Sequence, residues 1–220
     1  MLLNLNNFDP HVFLISLLVV ILSITVHEFA HALAADRIGD DTPRRQGRLT
    51  LLPTEHFDPL GFLMIVFTSL GGIGMGWGKP VMVNPARFAH PRRDMIVIAA
   101  AGPFSNLILA IICGLLLRFL PVATLATDSG LPTLTYELLW AATRINLSLM
   151  FFNLIPITPL DGSKIISNML PFEQSVRYDR MMGNYGPMLL LFLVFLGGSY
   201  ILPELVGRPV QEGFRLITGF

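Results

Sequence analysis

Two histidines and a glutamate lie close together in the first apolar stretch of the chain, as His27-Glu28-Phe29-Ala30-His31. On a helix, residues four positions apart face the same side, so both imidazoles would lie one turn apart with Glu28 beside them. Zinc suits this arrangement, because it binds two neutral imidazoles and a third protein ligand and keeps one position for water. The metal lowers the pKa of that water, and the adjacent glutamate can accept its proton.

The apolar surroundings favour a functional site over an accidental grouping of these residues. Ionisable groups inside a membrane helix are costly, so they usually mark a site or a pathway. Ser16, Ser23, His27 and His31 also fall on one helical stripe, which predicts a polar interior face. We therefore expect a metal site on this helix.

A third ligand has to come from elsewhere, and Asp161 is the candidate. It follows Pro156 and Pro159, which should end the preceding helix and free backbone groups. Such groups are tolerated at membrane depth where protein or a water-filled cavity satisfies them. Taken alone, Asp161 is better explained as the N-cap of a helix starting near Gly162, with Lys164 close by.

The composition predicts a membrane protein. Hydrophobic residues make up 53% of the 220 residues and charged residues 14%, a balance shifted beyond the soluble average of about half and a quarter. The length suits a single domain over residues 1–220. The net charge is zero and no basic run alternates with aromatic residues, which excludes nucleic acid as a partner.

Apolar runs divide the chain into predicted membrane spans. Four are long enough to cross a bilayer, at residues 12–35, 95–120, 136–157 and 186–203. The apolar stretch Gly61–Gly76 would cover only about 24 Å as a helix, and Gly71-Gly72-Ile73-Gly74 should break it. It is expected to be re-entrant or a short, tilted span.

Basic residues orient these spans, because they favour the cytoplasmic side of short loops. Clusters flank the Gly61–Gly76 stretch on both sides, so a re-entrant hairpin keeps both in the cytoplasm and leaves both termini outside. His27, His31 and Asp161 then lie at the cytoplasmic ends of their helices and can converge at one depth.

Short extended candidates bounded by Gly or Pro occur at residues 47–53 and 79–85 and could form a small sheet at the membrane surface. The expected fold is an all-α membrane protein. It is a polytopic bundle of four to five transmembrane helices with a re-entrant element and this β-strand region between the first two of the four long spans.

Several other polar residues have open roles. Asn106 and Asn153 lie in apolar helices and could either stabilise an oxyanion or orient a substrate backbone, or they could join helices. His56 and Asp58 are better explained by a structural or supporting role. Arg144 is assigned no role.

Three segments in order resemble the signatures of the site-2 protease family, over residues 20–170: His27-Glu28-x-x-His31, Gly102-Pro103-Phe104-Ser105-Asn106 and Asn153-x-x-Pro156-x-x-Pro159-Leu160-Asp161-Gly162. The loop with His56-Phe57-Asp58-Pro59 and Gly76-Trp77-Gly78-Lys79-Pro80-Val81 resembles the small prokaryotic subgroup without extra domains.

The resemblance implies a zinc endopeptidase that cuts membrane-embedded helices. It implies His27, His31 and Asp161 as Zn²⁺ ligands and Glu28 as the catalytic base. The expected partners are a membrane-protein substrate, typically with a single span, and the lipid bilayer. The expected location is a prokaryotic plasma membrane, with multiple passes.

Two other functions fit part of the pattern. A membrane-bound metalloprotease could cut surface peptides with the same chemistry. A metal transporter could use buried His and Asp side chains as a transit site, but this leaves the position of Glu28 unexplained. An inactive homologue that only binds helices is disfavoured by the complete motifs.

Overall fold

The computed structural model describes residues 9–69, 76–119, 131–198 and 200–219. The regular structure in these ranges is helical, as predicted. The helices are α1 Pro10–Ile38, α2 Thr42–Arg45, α3 Pro59–Ser69, α4 Pro91–Phe119, α5 Leu131–Asn153, α6 Asp161–Met169, α7 Phe172–Phe195 and α8 Arg208–Thr218. Short 3₁₀ turns lie at Pro53–Glu55 and Pro85–Arg87, and a π-helical turn at Pro203–Gly207 precedes α8.

The sequence defines both ends of α1. The Asp9 carboxylate accepts the backbone N–H of His11 at 2.9 Å, and Pro10 occupies the first helical position. Gly39 ends the helix in the left-handed conformation at φ 111°. The 29-residue helix is therefore held at both ends and can position side chains near its C-terminal third.

α4 is the central helix. It packs against α1, α5, α6 and α8, and α1 and α5 also contact each other. Small residues allow close approach: Ala110 is fully buried, and a Cβ atom added at Gly114 would lie 2.6 Å from the Ile217 side chain of α8. α1, α4 and α5 thus form a tight bundle, and α8 packs against α4 and α5.

α1 and α4 are the two helices in the described ranges that are long and apolar enough to cross a membrane. α1 exposes Leu14, Leu18 and Leu22 by about half or more of their surface, at a spacing of four residues. A contiguous exposed apolar stripe marks a surface that contacts lipid or another protein rather than water. The pattern is consistent with a membrane-embedded chain.

The later helices differ from the predicted runs at their ends. α5 stops at Asn153 rather than at residue 157, because a residue that precedes proline is disfavoured in the helical conformation, and Pro156 and Pro159 follow. α7 begins at Phe172, well before the apolar run at residue 186. Its first half is polar, so hydrophobicity alone could not locate this end.

The chain that leaves at Asp58 returns at residues 77–79 to the point from which it started. Phe57 and Gly78 form an antiparallel bridge, and the Lys79 N–H donates to the His56 carbonyl at 2.7 Å. A Cβ atom at Gly61 would lie 2.2 Å from the Trp77 carbonyl oxygen, so this returning segment passes against α3. The predicted glycine break at residues 71–74 lies outside the described residues.

The predicted β-strand region is wrong for the described residues, which contain that single bridge and no strand. Pro53 ends the first segment, and Pro80 and Pro85 lie in the second; proline cannot donate to a strand ladder. Side chains take the place of strand partners: Arg48 is buried and donates to the carbonyls of Glu55 and Pro80. His56 is also buried and donates from Nε2 to the Thr50 carbonyl at 2.7 Å.

Candidate metal centre

Three candidate metal-ligating side chains from two distant parts of the chain meet in the bundle. His27 and His31 lie one turn apart on α1, and Asp161 is the first residue of α6. Their exposed fractions are 6%, 7% and 5%. The predicted convergence of these three residues is therefore observed in the structure.

The three candidate donor atoms form a compact triangle. The Nε2 atoms of His27 and His31 are 3.1 Å apart, and each lies 3.1 Å from Oδ2 of Asp161. A tetrahedral zinc ion with ligands near 2.0–2.1 Å needs donor atoms separated by little more than this distance. The spacing therefore fits a single small ion.

Hydrogen bonds on the far side of each ring define which nitrogen is free. Nδ1 of His31 lies 2.7 Å from the Ile98 carbonyl, and Nδ1 of His27 lies 2.6 Å from Oδ1 of Asn106. Both partners are acceptors, so both Nδ1 atoms must donate, and a neutral ring then has a lone pair on Nε2. Two such lone pairs and a carboxylate oxygen converge, and a cation satisfies all three at once.

The second oxygen of Asp161 is held apart from this triangle. Oδ1 accepts from Nζ of Lys164 at 3.2 Å, while the Lys164 side chain is half exposed. This contact leaves Oδ2 to face the histidines. A supporting hydrogen bond of this kind orients a ligating carboxylate.

Gly102 provides the space for the site. A Cβ atom at this position would lie 2.4 Å from Nε2 of His31 and 2.6 Å from Nε2 of His27. Pro103 follows within α4 and removes one N–H from the helix ladder. The histidine edges therefore contact the backbone of α4, which a side chain at this position would prevent.

A cavity of about 700 Å³ opens beside the three residues. Glu28 lines it together with His27, His31 and Asp161, and so does Asn153. The returning segment at residues 76–83 forms part of the wall, and a Cβ atom at Gly78 would lie 3.2 Å from Oε1 of Glu28. The base candidate thus shares one cleft with the ligand candidates.

The two asparagines that are candidates for contact with the substrate have different surroundings. Asn106 is fully buried, and its amide nitrogen donates to Oδ1 of Asn146 at 2.8 Å. Asn153 is partly exposed, donates to the Leu149 carbonyl at 2.9 Å and lines the cavity. A substrate can therefore reach Asn153, whereas Asn106 lies behind His27.

The remaining polar candidates lie away from the triangle. His56 binds the Thr50 carbonyl, and Asp58 accepts the N–H groups of Leu60 and Gly61, each at 3.0 Å, at the start of α3. Arg144 stacks on Trp140 at 4.8 Å and on Phe214 at 5.7 Å. These contacts hold elements together.

Asn146 was not singled out from the sequence, yet it contacts Asn106 directly. The available signal was a buried amide in an apolar run, on the helix that ends in the third motif. The sequence marks Gly102 only as part of a motif, because the spacing of residues along the chain gives no information about a close approach between helices.

Comparison with known proteins identifies the family. The model of peptidase family M50 matches residues 124–196. YwhC of Bacillus subtilis, named as a candidate zinc metalloprotease, is 39% identical over 201 residues, which cover 90% of this chain and 89% of YwhC. The chain belongs to peptidase family M50. The predicted site-2 protease family, the enzyme class of zinc metalloprotease and the zinc cofactor are thereby confirmed.

More distant relatives extend the comparison. Rip2 of Mycobacterium tuberculosis, also named as a candidate zinc metalloprotease, is 31% identical over 195 residues, which cover 85% of this chain and 66% of Rip2. A zinc metalloprotease of Methanocaldococcus jannaschii is 23% identical over 181 residues, or 42% of its length. No solved structure matches the M50 chain.

Proposed function

We propose that this M50 protease hydrolyses peptide bonds within or next to transmembrane segments of membrane proteins. His27, His31 and Asp161 would hold the zinc ion, and Glu28 would act as the general base. The observation that supports this function best is the triangle of three buried acceptor atoms, two Nε2 and one Oδ2, at 3.1 Å from one another.

Each residue has a defined task in this reaction. Bound zinc would supply a Lewis acid that activates water and polarises the scissile carbonyl. Glu28 accepts a proton from the attacking water and then delivers it to the departing amine, so it acts first as a base and then as an acid. Asn153 would contact the substrate carbonyl or backbone, which is supported by its position in the lining of the cleft.

A membrane helix must unwind locally before attack, because its amides are paired within the helix. Residues 81–83 line the cleft and form no backbone hydrogen bond with any described residue. They are held at both ends, by the Pro80 carbonyl to Arg48 and by the Asn84 N–H to Asp40. The unpaired backbone of this segment is suited to pair with an unwound substrate.

The membrane arrangement proposed for this chain is taken from the sequence prediction. We infer four to five spans with the stretch at residues 61–76 as a re-entrant element, in one peptidase domain over residues 1–220. The bridge between Phe57 and Gly78 supports the re-entrant arrangement, since the chain returns to the point that it left. We infer a multi-pass protein of a prokaryotic plasma membrane, acting on single-span substrates.

Glu28→Gln separates catalysis from metal binding. Glutamine has nearly the same shape but cannot accept a proton, so cleavage should fall by about 10²- to 10⁴-fold while zinc stays bound. Asp161→Ala should lose both zinc and cleavage. The measurement is zinc content together with cleavage of a single-span test protein and of a water-soluble peptide, in liposomes.

Each result bears on a different alternative. Preference for the soluble peptide would indicate a protease of surface peptides. Metal flux across the vesicles that survives Glu28→Gln, without cleavage, would indicate a transporter. Cleavage by Glu28→Gln near the parental rate would exclude Glu28 as the base.

A further inference from the structure

Three buried polar side chains connect the site to the centre of the helix bundle. Ser23 belongs to α1, Asn106 to α4 and Asn146 to α5, and their exposed fractions are 2%, 0% and 2%. Buried amides are costly unless each polar atom has a partner. These three side chains satisfy one another in a chain that ends at His27.

The first amide in this chain has a defined orientation. Nδ2 of Asn146 lies 2.9 Å from the Ala142 carbonyl and 2.9 Å from Oγ of Ser23. A backbone carbonyl can only accept, so the atom facing Ala142 must be the amide nitrogen. Oδ1 of Asn146 therefore faces Asn106.

The second amide is oriented by the first. Nδ2 of Asn106 donates to Oδ1 of Asn146 at 2.8 Å and lies 3.4 Å from the Ser23 carbonyl. Both neighbours are acceptors, which leaves Oδ1 of Asn106 to face Nδ1 of His27 at 2.6 Å. The His27 ring must donate there, and its lone pair points from Nε2 toward Asp161.

We propose that Asn146, acting through Asn106, is a positioning residue that keeps His27 in the tautomer whose Nε2 binds zinc. His31 provides the contrast within the same site, because its Nδ1 faces a backbone carbonyl, that of Ile98, which cannot rotate. His27 instead relies on an amide that could flip. Asn146 prevents the flip, and this inference rests on the proposed role of His27 as a zinc ligand.

The test is the zinc affinity of purified full-length protein, measured by competition with a chelator of known affinity. Asn146→Leu removes the acceptor for Asn106 and should weaken zinc binding by about 10- to 100-fold, the range typical of groups that orient a ligand. Asn146→Asp should retain more affinity than Asn146→Leu, since a protonated carboxyl group can donate to Ala142 and accept from Asn106.

Thr143→Val is the matched control. Thr143 lies one turn before Asn146 on α5, is fully buried, and donates to the Leu139 carbonyl of its own helix at 2.7 Å. Valine at this position removes the hydrogen bond of Thr143 but leaves the contact between Asn146 and Asn106 in place. The zinc affinity of this variant should therefore equal that of the parent. If Asn146→Leu binds zinc as tightly as Thr143→Val, the positioning role is overturned.

A spectroscopic measurement gives an answer even if Asn146→Leu lowers stability. In zinc-saturated protein with ¹⁵N-labelled histidine, the parent should show one His27 form, protonated at Nδ1 and metal-bound at Nε2, and Asn146→Leu a mixture of forms. One unchanged tautomer in the variant would contradict the inference. If the parent binds zinc but cleaves no membrane substrate, the proposed function fails, and the affinity difference still decides the role of Asn146.

Discussion

Gly102 is the residue at which one added methyl group should damage the site most. Gly102→Ala would place a carbon 2.4 Å from Nε2 of His31, in the space between the two imidazoles. We expect zinc affinity to fall at least as far as the roughly 10- to 100-fold seen for substitutions that disturb ligand orientation. Zinc competition measurements on the folded variant check this.

Gly183→Ala is the control for this substitution. Gly183 also lies within a helix, α7, and a Cβ atom there would meet nothing within 4 Å. The change should leave zinc binding intact and raise helix stability by about 0.5–1 kcal/mol. Equal zinc affinities of the two alanine variants would mean that the close approach at Gly102 has no role.

At the level of single residues, the sequence was informative where chemistry dictates spacing. His27, Glu28 and His31 follow from a helical repeat, whereas Asp161, taken alone, is better explained as a helix N-cap and is singled out by the predicted topology and the family motif. Asn106 and Asn146 could not be distinguished from Asn153 in the same way. Which asparagine faces a substrate and which faces a ligand depends on helix rotation, which a single apolar run does not define.

Among the elements, the segment at residues 78–84 is held in place by hydrogen bonds to side chains rather than by strand pairing in a sheet. Asp40 is buried and accepts the N–H of Thr42 at 3.0 Å and the N–H of Asn84 at 2.6 Å. Burial by itself would raise the pKa of Asp40. The hydrogen bonds from Thr42 and Asn84, with the nearby Arg87, outweigh it and hold the pKa below its usual value.

Asp40→Asn should therefore destabilise the protein in a pH-dependent way. A carboxyl group whose pKa is lowered by folding stabilises the folded state above its unfolded pKa and loses this effect as the pH falls through the folded pKa. The variant should lose about 1.5–3 kcal/mol at neutral pH. Its difference from the parent should shrink below pH 3.8, the ordinary value.

Thermal unfolding in detergent at several pH values measures this difference, with Asp41→Asn as the control. Asp41 is partly exposed and pairs with Arg45 and Arg87 at the surface, so its loss should cost about 0–1 kcal/mol. If the difference in unfolding free energy between Asp40→Asn and the parent is constant over the whole pH range, the lowered pKa of Asp40 does not stabilise the fold.

The elements were predictable to different degrees. α1 and α4 follow from long apolar runs, and the end of α5 follows from Pro156. The predicted strands failed because a short segment bounded by Gly or Pro fits a strand pattern even when its carbonyls bind buried side chains. Arg48 donates to the Pro80 carbonyl and His56 to the Thr50 carbonyl. A local pattern cannot reveal such distant side-chain partners.

For the whole molecule, the candidate site forms because α1 and α6 bring His27, His31 and Asp161 together beside α4. Topology predicted this convergence, and the same topology requires that the loops before and after residues 61–76 lie on one side of the membrane. The bridge between Phe57 and Gly78 makes a geometric case for it, since one end of the stretch pairs with the other.

Cysteine labelling measures this directly. Cys113 is the single cysteine of the chain, so Arg45→Cys and Arg92→Cys can each be made in a Cys113→Ser background. Both should react with a membrane-impermeant thiol reagent from the same side, expected to be the cytoplasmic side. Ser129→Cys should react from the opposite side, because the loop at residues 121–135 has no Lys or Arg and the same topology predicts it to be outside. If positions 45 and 92 react from opposite sides, the stretch crosses the membrane fully, and the orientation of every later helix, including the one that ends before Asp161, is reversed.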